Sequence, residues 1–475
     1  MEALTGAPAV YTATDPASSG PGGQLAPVDG DAVPVLPRQA RTLRDTGLEP
    51  RFVTALVVKA MHAGGKTPLS VLTGRLHLSV SVVREVMQGL IAAQQAEVAW
   101  SGDADIDVHY QLTAFGQRAA ADYLAESRYC GPAPVPLAHY RSVVEQQSLR
   151  LGAGLGAGVG DAARSSPNIT PGELRAVLGE DGLEPAVREL IGAALHSQRP
   201  LMLYGPSGSG KTTLARKFAR LRQEPVAVPY AVLVKHEIVQ LYDPALHPAP
   251  LANRRMEERR SCDARWALCQ RPLVHIGAEL TRDMLELRAD PGSGMFHAPP
   301  HLSANNGLLV VDDLGRQRMP AGELLHRLLA AFEHGRDHVA VPGGPAHALP
   351  FDVGLVLATS LAPESVLDES CLRRIGYRIA IGPLNEAGYR ALVQRQARLS
   401  RLEADQAALD YLVNELHRRT RRPLLAAYPQ ELVQRILDFA GFAGRTPRFD
   451  VDSVAQAWSS LFGAGSLPLA MGDLR

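Results

Sequence analysis

One octapeptide constrains this chain more than any other feature. Gly205, Pro206, Ser207, Gly208, Ser209, Gly210, Lys211 and Thr212 fit the pattern GxxxxGK[ST], and Thr213 follows directly. The apolar run Leu201 to Tyr204 leads in, and a helical pattern from Thr213 to Leu221 leads out. A strand that enters a glycine-rich turn and leaves as a helix aims successive backbone N–H groups inward, where they can surround phosphate oxygens. In such a loop Lys211 reaches the β and γ phosphates and the Thr212 hydroxyl ligates Mg²⁺. Lysine is scarce here, five of the 49 basic residues, which makes one at this position the more informative. A second Gly-Gly-Lys-Thr, Gly64 to Thr67, has Ala60 where the first glycine is required and no buried strand before it, so it reads as a loop.

The rest of the chain divides by pattern. Residues 1–38 are rich in Ala, Pro, Gly, Ser and Asp and read as a disordered tail. Residues 39–128 predict helices at Phe52 to His62, Leu69 to Leu76 and Val80 to Gln94, strands at Ala96 to Trp100 and Val108 to Leu112, and a closing helix from Ala114 to Glu126. Three helices, a two-stranded wing and a last helix resemble a winged helix-turn-helix domain. Residues 129–167 read as a linker with one helical stretch; the GxGxxA match inside Gly152 to Gly160 has no strand before it and follows from Gly/Ala repetition. Over 168–384, apolar runs (Pro200 to Tyr204, Val226 to Val234, Gly307 to Val311, Val353 to Ala358, Tyr377 to Ile381) alternate with helices. That alternation predicts an α/β fold, a mostly parallel sheet with helices on both faces. Residues 385–462 are helical only, a small all-α lid, and 463–475 form a tail.

Leu308 to Val311 is an apolar strand that ends in Asp312 and Asp313. Two carboxylates there place one beside Mg²⁺, Asp312, and the next, Asp313, beside an attacking water. With the loop and this strand in order, residues 170–460 resemble the AAA+ ATPases. The helix Gly322 to His334, the hairpin region Val339 to Pro350 and the strand Leu355 to Ser360 look most like their MoxR-type, hairpin-bearing branch. The resemblance implies an ATPase that converts ATP to ADP and phosphate, with ATP and Mg²⁺ as cofactors. It implies that Ser360 contacts the γ-phosphate or the water, where Asn is commoner. Arg373 or Arg374 would be the finger reaching a neighbouring subunit's site, so a homo-oligomeric ring, expected to be a hexamer, is implied too. Tyr428 to Leu432 resembles the sensor-2 segment, with Gln430 where Arg is usual and Arg435 one turn later.

Partners are bounded by charge. The chain carries 49 basic and 49 acidic residues, so bulk electrostatics selects no polyanionic partner. Residues 39–128 hold nine of each sign, the helix Val80 to Gln94 has Arg84 as its one base, and the wing carries Asp103, Asp105 and Asp107. Phosphate neutralisation supplies most non-specific DNA affinity, so this favours a protein-binding or ring-positioning role, with nucleic acid possible but not favoured. The stretch from Tyr230 to Ala304 is longer than a minimal core needs; its charged run Asn253 to Arg260 and the turn Pro291 to Phe296 read either as client-contacting loops or as a solvated helix and a surface loop. Cys262 and Cys269, with His275, His297 and His301 nearby, lack metal spacing. Four irregularly spaced cysteines, no signal-like start and no apolar run near 18 residues predict a cytoplasmic protein with no membrane contact. The expected function is remodelling or activation of an unknown protein client; a nucleic-acid-binding regulator and a nucleotide-operated switch with little turnover are the alternatives.

Overall fold

The computed structural model describes residues 36–102, 107–150, 169–250, 262–341 and 344–463. Residues 1–35 of the expected tail, Asp103 and Asp105 of the wing, the Gly152 to Gly160 repeat, the charged run Asn253 to Arg260 and all but the first residue of the C-terminal tail lie outside them. Leu36 to Arg38, expected in the disordered tail, instead join the body, where Leu36 packs on the core and the Pro37 carbonyl accepts from the Asp263 N–H at 2.8 Å.

The first unit contains α1 (Pro50–Gly64), β1 (Thr67–Pro68), α2 (Leu69–Leu76), α3 (Val80–Ala92), β2 (Ala96–Ser101), β3 (Val108–Leu112) and α4 (Ala114–Glu126). Its helices form because their apolar residues recur at helical spacing: Val53, Leu56, Val57, Ala60 and Met61 of α1 meet Val82, Val83, Val86, Met87 and Leu90 of α3 in one core. The Ser79 hydroxyl caps α3 by accepting from the Val82 N–H, and Thr113 caps α4 in the same way through Gly116. The strands pair antiparallel in the order β1-β3-β2. The Gly64 to Thr67 sequence ends α1 and starts β1, a connection and not a phosphate loop.

Within the segment expected as a linker, β4 (Val135–Pro136) and α5 (Leu137–Gln146) are built into the body. Tyr140 of α5 is buried, and its hydroxyl accepts from Asn305 Nδ2 at 2.7 Å. The body continues with α6 (Pro171–Leu178), α7 (Pro185–Ser197), β5 (Leu201–Tyr204) and α8 (Lys211–Phe218). Then come β6 (Val226–Pro229), β7 (Ala231–Val234), β8 (Glu237–Gln240), β9 (Trp266–Cys269) and β10 (Leu273–Ile276). The run Val226 to Val234, expected as one strand of the main sheet, breaks at Tyr230. Its first half pairs antiparallel with β9, and its second half pairs with β8 and, in parallel, with β4. After β11 (Arg288–Ala289), β12 (Phe296–His297) and α9 (Pro300–Ser303), the chain forms β13 (Leu308–Val311), α10 (Ala321–His334), the hairpin β14 (Arg336–Ala340) and β15 (Ala346–Pro350), and β16 (Gly354–Thr359). Two short helices, α11 (Pro363–Val366) and α12 (Glu369–Arg374), lead to β17 (Tyr377–Ala380). The turn near Pro291 joins β11 to β12, at one edge of a second sheet ordered β11-β12-β8-β7-β4.

The main sheet is wholly parallel, in the order β10-β13-β16-β5-β17. Side chains alternate between its faces, and each face has its own core. Met202, Leu309, Val311, Leu355 and Leu357 pack with α5 and α10. Leu201, Leu203, Val310, Val356 and Ile379 pack with α6, α7 and α8. Both faces are therefore covered by helices, as the near-continuous apolar strands require.

The C-terminal bundle comprises α13 (Glu386–Leu399), α14 (Gln406–Asp410), a π-helical turn at Tyr411–His417, α15 (Arg418–Thr420), α16 (Tyr428–Phe442) and α17 (Val451–Phe462), around Tyr389, Leu412, Leu416, Leu432 and Trp458. Asp181, between α6 and α7, accepts from Lys217 of α8 and from Arg395 of α13, and so ties this bundle to the phosphate-loop helix. Among the described residues no helix is long and apolar enough to cross a membrane.

Candidate functional site

Strands that run parallel end together, so the loops after β5, β10, β13 and β16 emerge along one edge of the sheet. Register fixes the alignment: Thr359 lies beside Tyr204, and Ile276 and Leu357 flank Val311. This brings the Gly205 to Thr212 turn, Asp312 and Ser360 to one place, although they are far apart in sequence.

The turn takes backbone conformations that glycine permits. Gly205, Gly208 and Gly210 have φ of 138°, 81° and 93°, and a Cβ on Gly205 would lie 2.3 Å from the Ile381 carbonyl oxygen. Lys211, the first residue of α8, is buried, and its ammonium donates to the carbonyls of Gly205 and Pro206, both at 2.8 Å. Burial lowers its pKa, while the carboxylates of Asp312 and Asp313 work against that shift. The lysine forms no ion pair among the described residues; its charge rests on those two carbonyls and on the Ser209 hydroxyl, 3.4 Å away.

Beside it, the Thr212 hydroxyl donates to Asp312 Oδ2 at 2.7 Å, and His275 Nε2 lies 3.1 Å from the same oxygen. Burial acts to raise the Asp312 carboxyl, but the hydrogen bonds from His275, Thr212 and the Asp313 N–H outweigh it and hold the group below its ordinary value. Asp313 is exposed with φ 49°, a left-handed conformation that turns the chain sharply at the end of β13. Gln317 holds the turn, donating to the carbonyls of Asp312 at 2.8 Å and Asp313 at 3.2 Å. Ser360 follows β16, and its Oγ accepts from Arg316 at 3.4 Å.

The two arginines of α12 part company. Arg374 binds Glu333 of α10 through Nε at 2.7 Å and Nη2 at 2.8 Å, whereas Arg373 is exposed and, among the described residues, pairs with Glu369 alone, one turn back on its own helix. Gln430 is exposed on the first turn of α16. That helix begins at the phosphate loop, where the Ala427 N–H donates to the Gly208 carbonyl at 2.9 Å and Ala426 Cβ would lie 3.4 Å from a Cβ on Gly210. Sequence reasoning overlooked three groups: His275, weighed only as a zinc ligand; Gln317; and the Ala427 contact. A polar residue at the penultimate position of the otherwise apolar Leu273–Ile276 was the available signal for the first; the other two carry none.

A family model described as a domain of unknown function (DUF8689) matches residues 385–460. No curated protein matches the chain. Among solved structures, NtrX from Brucella abortus in complex with ATP is 15% identical with a TM-score of 0.37, over 60% of this chain and 56% of that one. The Holliday junction branch migration motor RuvB from Thermotoga maritima is 15% identical with a TM-score of 0.34, over 59% of this chain and 70% of that one. This chain therefore spans little more than half of NtrX, and at such scores the fold rests on its own strand order.

Proposed function

We propose that this protein is a Mg²⁺-dependent ATPase of the AAA+ type, which works as a homo-oligomeric ring to remodel or activate a protein client. The observation that carries the reading is the convergence, at the carboxyl edge of one parallel sheet, of a glycine cradle, a buried lysine held by two loop carbonyls and the Ser209 hydroxyl, and a Thr212–Asp312 oxygen pair. The donor set fits the cofactor: backbone N–H groups, a helix N-terminus and an ammonium suit phosphate oxygens, and a hydroxyl with a carboxylate suits a hard cation. When bound, ATP would supply the phosphoryl group and Mg²⁺ would supply positive charge to offset that of the phosphates. Lys211, which here donates to the Gly205 and Pro206 carbonyls, would hold the phosphates. Thr212 and Asp312 orient toward the cation, and His275 keeps the Asp312 carboxylate aimed. Asp313 would orient the attacking water, with Ser360, just beyond β16, in the supporting role.

Arg373 is the finger in this reading, because Arg374 is held by Glu333 and Arg373 is free to reach outward. Such a guanidinium is worth about 10³–10⁵ in rate where NTPases have been measured. Gln430 can donate a hydrogen bond to phosphate without neutralising it. Residues 39–128 act as a winged-helix module that contacts protein, supported by the balanced charge and by the exposed Val98 and Trp100 on β2.

Phosphate release against protein concentration tests the whole reading. Turnover per chain should rise with assembly, Lys211→Ala should lose nucleotide binding, and Asp313→Asn should bind without turning over. Wild-type protein that takes up no fluorescent adenine nucleotide at millimolar Mg²⁺ would refute it. A salt-sensitive gel shift with duplex DNA would transfer residues 39–128 to the nucleic-acid reading.

A further inference from the structure

Cys371 lies one turn into α12, fully buried, and faces a histidine and a carboxylate that belong to no part of the nucleotide site. His326 comes from α10, and Asp368 is the N-cap of α12. We propose that His326, Asp368 and Cys371 form a site for a thiophilic divalent cation, Zn²⁺ by preference, which pins α12 to α10.

The geometry is that of a three-ligand centre. One imidazole nitrogen, one carboxylate oxygen and the sulfur all lie within 4.8 Å of one another. The cap fixes the carboxylate: Asp368 Oδ1 accepts from the Cys371 N–H at 2.8 Å, and Oδ2 faces His326 Nε2 at 3.4 Å. Burial fixes the sulfur, while the imidazole and carboxylate are about half exposed, so a cation held between them keeps one open side for water. Nitrogen and sulfur donors select zinc over the hard Mg²⁺ of the nucleotide site. On binding, the thiol proton leaves to solvent and the sulfur ligates as thiolate. The cap also draws the Cys371 thiol to the Asp368 carboxylate, with which it forms a side-chain hydrogen bond, and His326 brings a nitrogen donor from a different helix to the same point.

The position gives the site a consequence. Glu333, two turns beyond His326 on the same side of α10, binds Arg374, so the two helices are already joined at one end. A cation at the other end would hold α12 at two points and limit the swing of Arg373. That last step rests on the proposed role of Arg373; metal content is read without turnover, so failure of the site and failure of the ATPase reading are distinguishable.

The test uses full-length protein stripped with chelator, then dialysed against Zn²⁺ or Co²⁺ in saturating Mg²⁺. Wild type should bind one tight Zn²⁺ per chain and show a thiolate-to-cobalt charge-transfer band. His326→Ala, a surface change that should leave the circular dichroism and melting temperature intact, should weaken zinc by more than about 10-fold, a loss that even outer-shell partners can cause. Cys371→Ser should abolish the cobalt band. Unchanged zinc affinity in His326→Ala, or no such band in wild type, would overturn the site even if Cys371→Ser fails to fold.

Discussion

Asp313 carries two demands at once. Its left-handed backbone, φ 49°, is one that glycine adopts without cost and a residue with a Cβ does not. Asp313→Gly should therefore keep or raise thermal stability, by up to about 1 kcal/mol, while phosphate release falls to background. A variant that lost stability and activity together would assign Asp313 to the fold instead. The arginines give the complementary pair. Arg373→Ala should melt like wild type, bind ATP and turn over slowly, because its one partner among the described residues is an exposed i,i+4 glutamate worth a few tenths of a kcal/mol. Arg374→Ala should lower the melting temperature by loosening α12 from α10. At this scale the sequence was readable where a residue type can do one thing: Lys211, Thr212 and Asp312 meet as the motif spacing requires. It could not separate Arg373 from Arg374, since only the packing of α10 gives one of them a partner.

The C-terminal bundle offers a test at the scale of the element. His417 closes the π-helical turn, is buried among Tyr389, Tyr428 and Trp458, and bonds the Tyr389 hydroxyl at 2.8 Å. Burial pushes its pKa down to about 4 from an ordinary 6.5. Between those values the unfolded chain binds a proton that the folded one refuses, so stability falls as pH drops from 6.5 and levels off near 4. The loss is at most about 3 kcal/mol. Melting curves should show this slope in wild type and a flatter one in His417→Gln; equal slopes would remove His417 as the cause. The helical character of 385–462 was legible, but its division into helices was not: Asn385 and Asp450 cap α13 and α17, and the π turn at Tyr411–His417 has no signal in the sequence. The strand Val226 to Val234 failed for a related reason. Apolar alternation cannot say which sheet a strand joins, and a break at Tyr230 sends its halves to two different ones.

For the molecule as a whole, the union of the N-terminal unit with the body is the feature that sequence concealed. Ala231 and Ile238 of the second sheet belong to the same core as α1 and α3. Arg265, 2% exposed, grips Asp263 and donates to the carbonyls of Thr46 at 2.9 Å and Pro134 at 3.3 Å. Those contacts link residues more than 100 positions apart, and no local pattern announces them. Arg265→Ala strands a buried carboxylate and should cost about 3–5 kcal/mol. Differential scanning calorimetry should then resolve a separate early transition, with protease cutting near residue 134; a single unchanged transition would mean the clasp is dispensable. The Gly208 carbonyl, spent on Ala427, extends this continuity to the other end of the chain. A ligand that displaced the glycine turn would therefore pull on the first turn of α16, and through it on the C-terminal bundle.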